Sequence, residues 1–167
     1  MIKLVSKKTS ELTLEKIKSI CLLKKTHWKY NLKSQLTWFK NNILPPDIHN
    51  MLLIDNKLVG YTCLRVIKNN SYDKKKYLLF DTLIIKKEFR KKYFKKKSMS
   101  YFIMRLNDKV IKKSKKTSFL ICKKELVKFY KKHKWFKISN RTRVKKNRIP
   151  MIFNYRKNDI SFFINSI

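Results

Sequence analysis

The stretch that decides the fold runs from residue 77 to residue 135. Residues 77–85 (YLLFDTLII) form an apolar run, and residues 86–98 (KKEFRKKYFKKKS) follow as a basic turn. Apolar residues then recur at helical spacing, and residues 118–122 (SFLIC) and 123–135 (KKELVKFYKKHKW) close the stretch. Runs of this length and periodicity predict strand, turn, helix, strand and helix in that order. The first helix is predicted to run from Lys97 to about Lys113.

Flanking segments extend this pattern on both sides. We predict a strand at residues 2–5, a helix capped by Thr13, a helix over residues 34–41 that stops before Pro45, and a hairpin that turns at residues 55–57. After Trp135, strands are predicted at residues 136–138 and 151–155, and loops at residues 69–76 and 140–148. The order β-α-α-β-β-β-α-β-α-β-β predicts an α+β fold around a mostly antiparallel sheet. We expect a single domain over residues 1–157 and a C-terminal tail over residues 158–167.

The formal net charge of +34 is extreme for 167 residues. It indicates either a polyanionic partner or the drift of an AT-rich genome toward lysine. Only seven of the 44 basic residues are arginine, alanine is absent and glycine occurs once, and this composition favours drift. Non-specific adhesion to nucleic acid at low salt is expected from either origin.

Cysteine usage and hydropathy further restrict the kind of protein this chain can be. Cys21, Cys63 and Cys122 are far apart and odd in number, so they fit neither a disulfide framework nor a zinc site. We expect three reduced, buried thiols, no metal, no membrane span and no signal peptide. These expectations together predict a cytoplasmic location.

The stretch from residue 77 to residue 135 resembles the cofactor-binding half of the GCN5-related N-acetyltransferases. In that family a strand leads into the signature Arg/Gln-x-x-Gly-x-Gly/Ala, and Arg90 matches its first position. The two glycine positions fall on Tyr93 and Lys95. The family's later pattern ends in Phe-Tyr-x-x-x-Gly-Phe; Phe129 and Tyr130 match it and Trp135 is a near match, whereas Lys123, Leu126 and Lys134 depart from it.

The resemblance implies a central twisted sheet of six to seven strands, about four flanking helices, and acetyl-CoA as the cofactor. Small residues in the signature let backbone N–H groups approach the pyrophosphate, so Tyr93 and Lys95 could crowd it. The cofactor-binding residues that the resemblance implies are Leu83, Ile84, Ile85, Arg90, Lys91, Lys92, Tyr93, Phe94, Lys95, Lys96 and Lys123.

The implied reaction is direct acetyl transfer to a primary amine, with a backbone amide near Leu83 or Ile84 polarising the thioester carbonyl. Tyr130 is the implied general acid, and Asp81 is a candidate base or an ion-pair partner inside an apolar strand. His27 and His49 are other candidate bases.

The resemblance also implies an acceptor-binding group: His27, Trp28, Tyr30 and Trp38, which an ordinary core cluster would explain equally. A strongly cationic surface favours an amino sugar on an anionic carrier, or a protein amine, over polycationic acceptors. The alternative function is a non-catalytic basic protein of the same fold that binds nucleic acid or a protein partner, because residues 89–102 interleave basic and aromatic side chains.

Overall fold

The computed structural model describes residues 1–68, 75–138, 147–156 and 159–160. Within these residues it contains a seven-stranded sheet, a two-stranded hairpin and four α-helices. The strands are β1 (Ile2–Lys8), β2 (Ile48–Ile54), β3 (Lys57–Lys68), β4 (Lys76–Ile85), β5 (Tyr93–Phe94), β6 (Lys97–Ser98), β7 (Ser118–Lys123), β8 (Phe136–Lys137) and β9 (Arg148–Phe153). The helices are α1 (Leu14–Lys25), α2 (Leu32–Asn42), α3 (Met99–Ser114) and α4 (Val127–Lys132).

The large sheet has the strand order β1-β2-β3-β4-β7-β9-β8, and β5 pairs with β6 in the separate hairpin. The pairs β1–β2, β2–β3, β7–β9 and β8–β9 are antiparallel, and β4–β7 is parallel. The predicted α+β fold with a mostly antiparallel sheet is therefore confirmed. The predicted loops at residues 69–76 and 140–148 and the predicted tail lie largely outside the described residues.

The chain divides into two compact units. Unit 1 comprises Met1–Arg65 and Asp81–Asn107, and unit 2 comprises Val66–Phe80 and Asp108–Ile167. The expectation of one domain over residues 1–157 stays a prediction.

Capping side chains fix where the first two helices begin. The Thr13 hydroxyl accepts a hydrogen bond from the Lys16 N–H at 3.3 Å, as its position before α1 predicts. Asn31 accepts from the Ser34 N–H at 2.8 Å, so α2 begins before residue 34. The predicted start of α3 at Lys97 was wrong. Lys97 and Ser98 form strand β6 of the hairpin, and the helix begins at Met99.

The core of unit 1 lies on both faces of strand β2. Met51 and Leu53 belong to one apolar cluster together with residues of α1 and α2, while Leu52 belongs to a second cluster together with Met99 and Ile103 of α3. Side chains alternate along a strand, so a continuous apolar run is buried only where both faces are covered.

The single glycine of the chain, Gly60, lies opposite Leu52 in the β2–β3 register. A Cβ atom at this position would lie 2.8 Å from Ile85 Cδ1 and 3.1 Å from Leu52 Cβ. Gly60 therefore allows a closer approach of apolar side chains than any other residue would.

Unit 2 is built on β7 and β9 with a core of Tyr77, Phe119, Ile138 and Ile152. Trp135, just after α4, is 1% exposed and stacks on Phe153 with ring centroids 5.3 Å apart. The buried Asp159 accepts hydrogen bonds from the Thr117 hydroxyl and from the Arg156 N–H, and it pairs with the Lys75 ammonium.

Helix α4 ends in a motif that ordinarily uses glycine. The Lys134 N–H donates to the Lys131 carbonyl at 2.9 Å, and the Trp135 N–H donates to the Tyr130 carbonyl at 3.2 Å. These are the two hydrogen bonds of a Schellman cap, which needs a left-handed residue at the position of Lys134. Lys134 has φ 62°, so a lysine adopts the conformation that glycine favours.

We expect the substitution Lys134→Gly to raise the free energy of unfolding by about 1 kcal/mol, because it removes a Cβ atom from a left-handed residue. Denaturant unfolding of both proteins measures the difference. The control is Lys134→Ala, which removes the charge but keeps the Cβ atom. An equal gain in both variants would assign the effect to charge and contradict the conformational explanation.

Candidate functional site

Strand β4 has an edge that is only partly paired. Its ladder with β7 comprises Leu78–Ser118 and Leu79–Phe119, although β4 continues to Ile85. Beyond Leu79, side chains hold the strand from both faces: Ile84 packs in the cluster with α1 and α2, and Ile85 packs in the cluster with α3. On this edge the main-chain groups of residues 80–85 have no β7 partner in the ladder, and those other than the Ile85 carbonyl can bind a ligand.

A tightly turned segment follows the strand. Arg90 Nε donates a hydrogen bond to the Ile85 carbonyl at 2.9 Å, which ties the turn to the end of β4. The β5–β6 hairpin then reverses the chain at Lys95 and Lys96, whose φ angles are 47° and 60°. Lys95 occupies a glycine position of the family signature, and it keeps the left-handed conformation that glycine favours.

Tyr93, at the other glycine position, lies in β5 and is 69% exposed. Its ring extends into solvent rather than packing against the protein. The exposed Tyr93 side chain can therefore change rotamer when a ligand approaches the turn.

The predicted cofactor residues of this turn form one exposed cationic segment. Arg90, Lys91, Lys92, Lys95 and Lys96 are all exposed. Two of these cations lie over neighbouring aromatic rings. Lys92 Nζ lies 4.8 Å from the Phe89 ring centroid, and Lys95 Nζ lies 5.7 Å from the Phe94 ring centroid.

Helix α3 starts directly after the hairpin and has no acidic residue in its first turn. The Ser98 hydroxyl accepts a hydrogen bond from the Tyr101 N–H at 3.3 Å and so caps the helix. A helix start beside a cluster of cations favours anion binding.

A cleft of about 580 Å³ in unit 1 collects the predicted acceptor residues. It is lined by Lys24, Trp28, Tyr30, Ser34, Gln35, Trp38, Asp81 and Thr82. The structure therefore brings Trp28, Tyr30 and Trp38 together with Asp81. His27 does not line the cleft; its exposed ring packs edge-on against Trp28, with centroids 4.8 Å apart.

Asp81 is exposed at this cleft rather than buried, and it accepts a hydrogen bond from the Thr82 hydroxyl at 3.1 Å. It forms no ion pair with the residues that the structure describes. Its position is therefore compatible with accepting a proton from an amine in the cleft.

Lys24 is the charged cleft residue that the sequence analysis missed, and Ser34, Gln35 and Thr82 are uncharged ones. Lys24 is 6% exposed, and its ammonium lies 3.7 Å from the centroid of the Trp38 ring. Burial lowers the pKa of Lys24, and the charge of Asp81 partly opposes this shift. A signal was present: Lys24 falls on the apolar stripe of α1, at the helical spacing of Ile20, Cys21 and Trp28.

Candidate base His49 lies on β2 and is fully buried. Thr9 Oγ1 lies 2.8 Å from its Nε2, and the Tyr61 hydroxyl lies 2.7 Å from its Nδ1. Burial first, and then the charge of Lys24, lower the pKa of His49 from 6.5 to about 4. His49 is therefore neutral at pH 7, and both of its ring nitrogens are engaged inside the protein.

In unit 2, Tyr130 of α4 is 8% exposed and packs against Phe80, Phe129 and Trp135. Burial, and to a lesser extent Cys122, raise the pKa of Tyr130 well above its ordinary value, so the phenol keeps its proton. Lys123, at the end of β7, is exposed, and its Nζ lies 3.9 Å from Glu125 Oε1.

All three cysteines are buried and unpaired. Among the described residues there is no group of three or more histidine, cysteine, aspartate or glutamate side chains that could hold a metal ion. The described helices also include none that is long and apolar enough to cross a membrane.

The buried neutral state of His49 predicts a pH dependence of stability. The unfolded chain takes up this proton near pH 6.5 and the folded chain only near pH 4, so stability falls as pH drops through that range. Between pH 7 and pH 5, we expect the wild type to lose about 2 kcal/mol more than His49→Gln, which cannot titrate. Denaturant unfolding at several pH values measures this, and parallel losses in both proteins would contradict the assignment.

Comparison with known proteins finds no family model and no curated protein that matches the sequence. Solved structures do match. The PaiA N-acetyltransferase from Thermoplasma acidophilum in complex with coenzyme A has a TM-score of 0.58 at 16% identity, over 92% of this chain and 99% of that chain.

Two further structures match over a similar extent. The ribosomal-protein-S18-alanine N-acetyltransferase from Escherichia coli has a TM-score of 0.62 at 10% identity, over 91% of each chain. An aminoglycoside 6'-N-acetyltransferase complexed with coenzyme A has a TM-score of 0.67 at 11% identity, over 92% of this chain and 98% of that chain. At these identities the likeness establishes the fold.

Proposed function

We propose that this chain, which has the fold of the GCN5-related N-acetyltransferases, binds acetyl-CoA and transfers its acetyl group to a primary amine. The observation that carries the proposal is the unpaired edge of β4 after Leu79, followed by the cationic turn at residues 90–96 and the start of α3. Two of the structural neighbours are complexes with coenzyme A, which supports this choice of cofactor.

The residues of this segment fit such a cofactor in both shape and charge. Main-chain groups of Leu83, Ile84 and Ile85 would bind the amides of the pantetheine arm, as an added strand does at a sheet edge. The cations at residues 90–96 and the N–H groups at the start of α3 would bind the pyrophosphate. Lys123 replaces the asparagine of the family pattern and would contribute a further cation.

Acetyl-CoA, when bound, supplies the acetyl group as a thioester. Asp81 would accept a proton from the acceptor amine, whose nitrogen then forms a bond to the carbonyl carbon. A backbone N–H near Leu83 or Ile84 would stabilise the negative charge that develops on the carbonyl oxygen. Tyr130 would donate its proton to the sulfur as the carbon–sulfur bond breaks.

The acceptor that we propose is a primary amine, either of an amino sugar on an anionic carrier or of a protein. The positive net charge favours such acceptors over polycations, because a surface of like charge repels them. Two structural neighbours act on different acceptors, an aminoglycoside and a ribosomal-protein alanine, so the fold leaves the acceptor open.

We expect about 1 mM acetyl-CoA to raise the melting temperature by at least about 3 °C at both 50 and 200 mM salt. Differential scanning fluorimetry measures the shift. Lys92→Glu combined with Lys96→Glu should abolish most of it, whereas the matched control, Lys18→Glu with Lys25→Glu on α1, should keep it. Stabilisation by a short RNA that vanishes at the higher salt, without any effect of acetyl-CoA, would favour a nucleic-acid-binding protein instead.

Replacing Tyr130 by phenylalanine should slow acetyl transfer by about 100-fold, because it removes only the proton donor. Affinity for acetyl-CoA should stay unchanged. Release of free thiol, followed with an excess of acceptor, measures the rate. Tyr155→Phe removes the hydroxyl of an exposed tyrosine in unit 2 and should have no effect. An unchanged rate in Tyr130→Phe would remove Tyr130 from the mechanism.

A further inference from the structure

Lys24 presents a buried cation to the cleft of unit 1. Its side chain is 6% exposed, and its ammonium contacts the faces of Trp38 and Trp28, with ring-centroid distances of 3.7 and 5.6 Å. Within the described part of the chain it forms neither an ion pair nor a hydrogen bond through Nζ.

The Lys24 ammonium reaches the open cleft, because Nζ is not among the fully buried side-chain atoms of the described residues that lack a hydrogen-bond partner. Aromatic faces stabilise a cation, but they accept no N–H hydrogen bond comparable to that of a carboxylate oxygen. Ordinary buried lysines are paired, because desolvating an unpaired charge is costly. An anion bound in the cleft would give this ammonium a charged acceptor.

The cleft also holds a negative charge that stays apart from Lys24. Asp81 is exposed at the cleft, and its charge raises the pKa of Lys24, yet no ion pair of 4.0 Å or less joins the two side chains. One cleft therefore offers two separated charges of opposite sign to a ligand.

A third polar group in the cleft is also available. The Gln35 side chain is 4% exposed and makes no hydrogen bond to any residue that the structure describes. Trp28, Tyr30 and Trp38 form aromatic walls around these polar groups. This lining suits a ligand that has an apolar or aromatic body and charges at one end.

We propose that Lys24 binds a carboxylate of the acceptor, and that the cleft selects small amines that carry both a carboxylate and an apolar or aromatic group. Asp81 would bind the ammonium of the same molecule, and Gln35 would donate a second hydrogen bond to its carboxylate. The volume of about 580 Å³ accommodates a molecule of amino-acid size. The inference rests on the proposed acetyltransferase function for the fate of the amine, but not for its binding.

The binding experiment uses three probes that differ by one charged group: L-phenylalanine, L-phenylalaninamide and 3-phenylpropionate. Two of the three tryptophans of the chain line the cleft, so tryptophan fluorescence reports occupancy without acetyl-CoA. We expect L-phenylalanine to bind at least tenfold more tightly than its amide, which lacks the carboxylate. If no probe binds at concentrations up to about 10 mM, the proposal is overturned.

Variants locate the selectivity at Lys24. Lys24→Met has a similar length and no charge, and it should weaken L-phenylalanine binding at least tenfold without weakening that of the amide. Lys24→Arg should retain the preference. Asp81→Asn should weaken both amines and leave 3-phenylpropionate unchanged. If Lys24→Met keeps the wild-type ratio between L-phenylalanine and its amide, Lys24 does not bind the carboxylate.

Measuring acetyl-CoA consumption in the presence of the same probes separates this inference from the proposed function. Selectivity for the carboxylate without any consumption of acetyl-CoA would sustain the binding site and refute the acetyltransferase. Acetylation of amines with no preference for the carboxylate would sustain the enzyme and refute the role of Lys24. If Lys24→Met instead shifted only the acidic limb of the pH–rate profile, Lys24 would be a proton acceptor and the proposal would fail.

Discussion

The early end of the ladder between β4 and β7 is the constraint on which the candidate site depends. Two residue pairs join these strands, and the last six residues of β4 then continue without a ladder partner on that edge. A strand cannot leave its main chain unpaired unless its side chains hold it in place. Leu83, Ile84 and Ile85 do so by packing alternately into two apolar clusters. On the edge away from β3, the main-chain groups other than the Ile85 carbonyl, which Arg90 binds, therefore stay available to a ligand.

Strand β4 also supplies two consecutive residues, Asp81 and Thr82, to the lining of the cleft. Asp81 lies four residues before Ile85 on the strand, and the buried Thr82 donates a hydrogen bond to its carboxylate. Helix α1 brings Lys24 to the cleft from its apolar stripe, so the helix that covers the core also delivers a cation. Packing and recognition thus use the same elements, and a change in the core would move both charges.

Lysine has two structural roles in this chain. At residues 90–96 it is concentrated beside a helix start, where cations and N–H groups act together on an anion. At Lys95 and Lys134, lysine instead holds a left-handed conformation that glycine favours. Lysine thus occupies left-handed backbone positions as well as the cationic surface of this chain.

The sequence alone determined the order of the seven strands of the large sheet and the four helices, the α+β class, the mostly antiparallel sheet and the Thr13 cap, because periodicity and capping are local properties. The resemblance in the sequence also predicted Trp28, Tyr30 and Trp38 as acceptor residues, and all three line the cleft. Tertiary structure alone decided that Asp81 faces a cleft, that His49 is buried and that Lys24 is a buried cation beside Trp38. The hairpin at Lys95 and Lys96 also escaped the sequence, because lysine carries no turn signal there. The burial and the partners of a charged side chain depend on residues distant in the chain, and the local pattern shows only that Lys24 lies on the apolar stripe of α1.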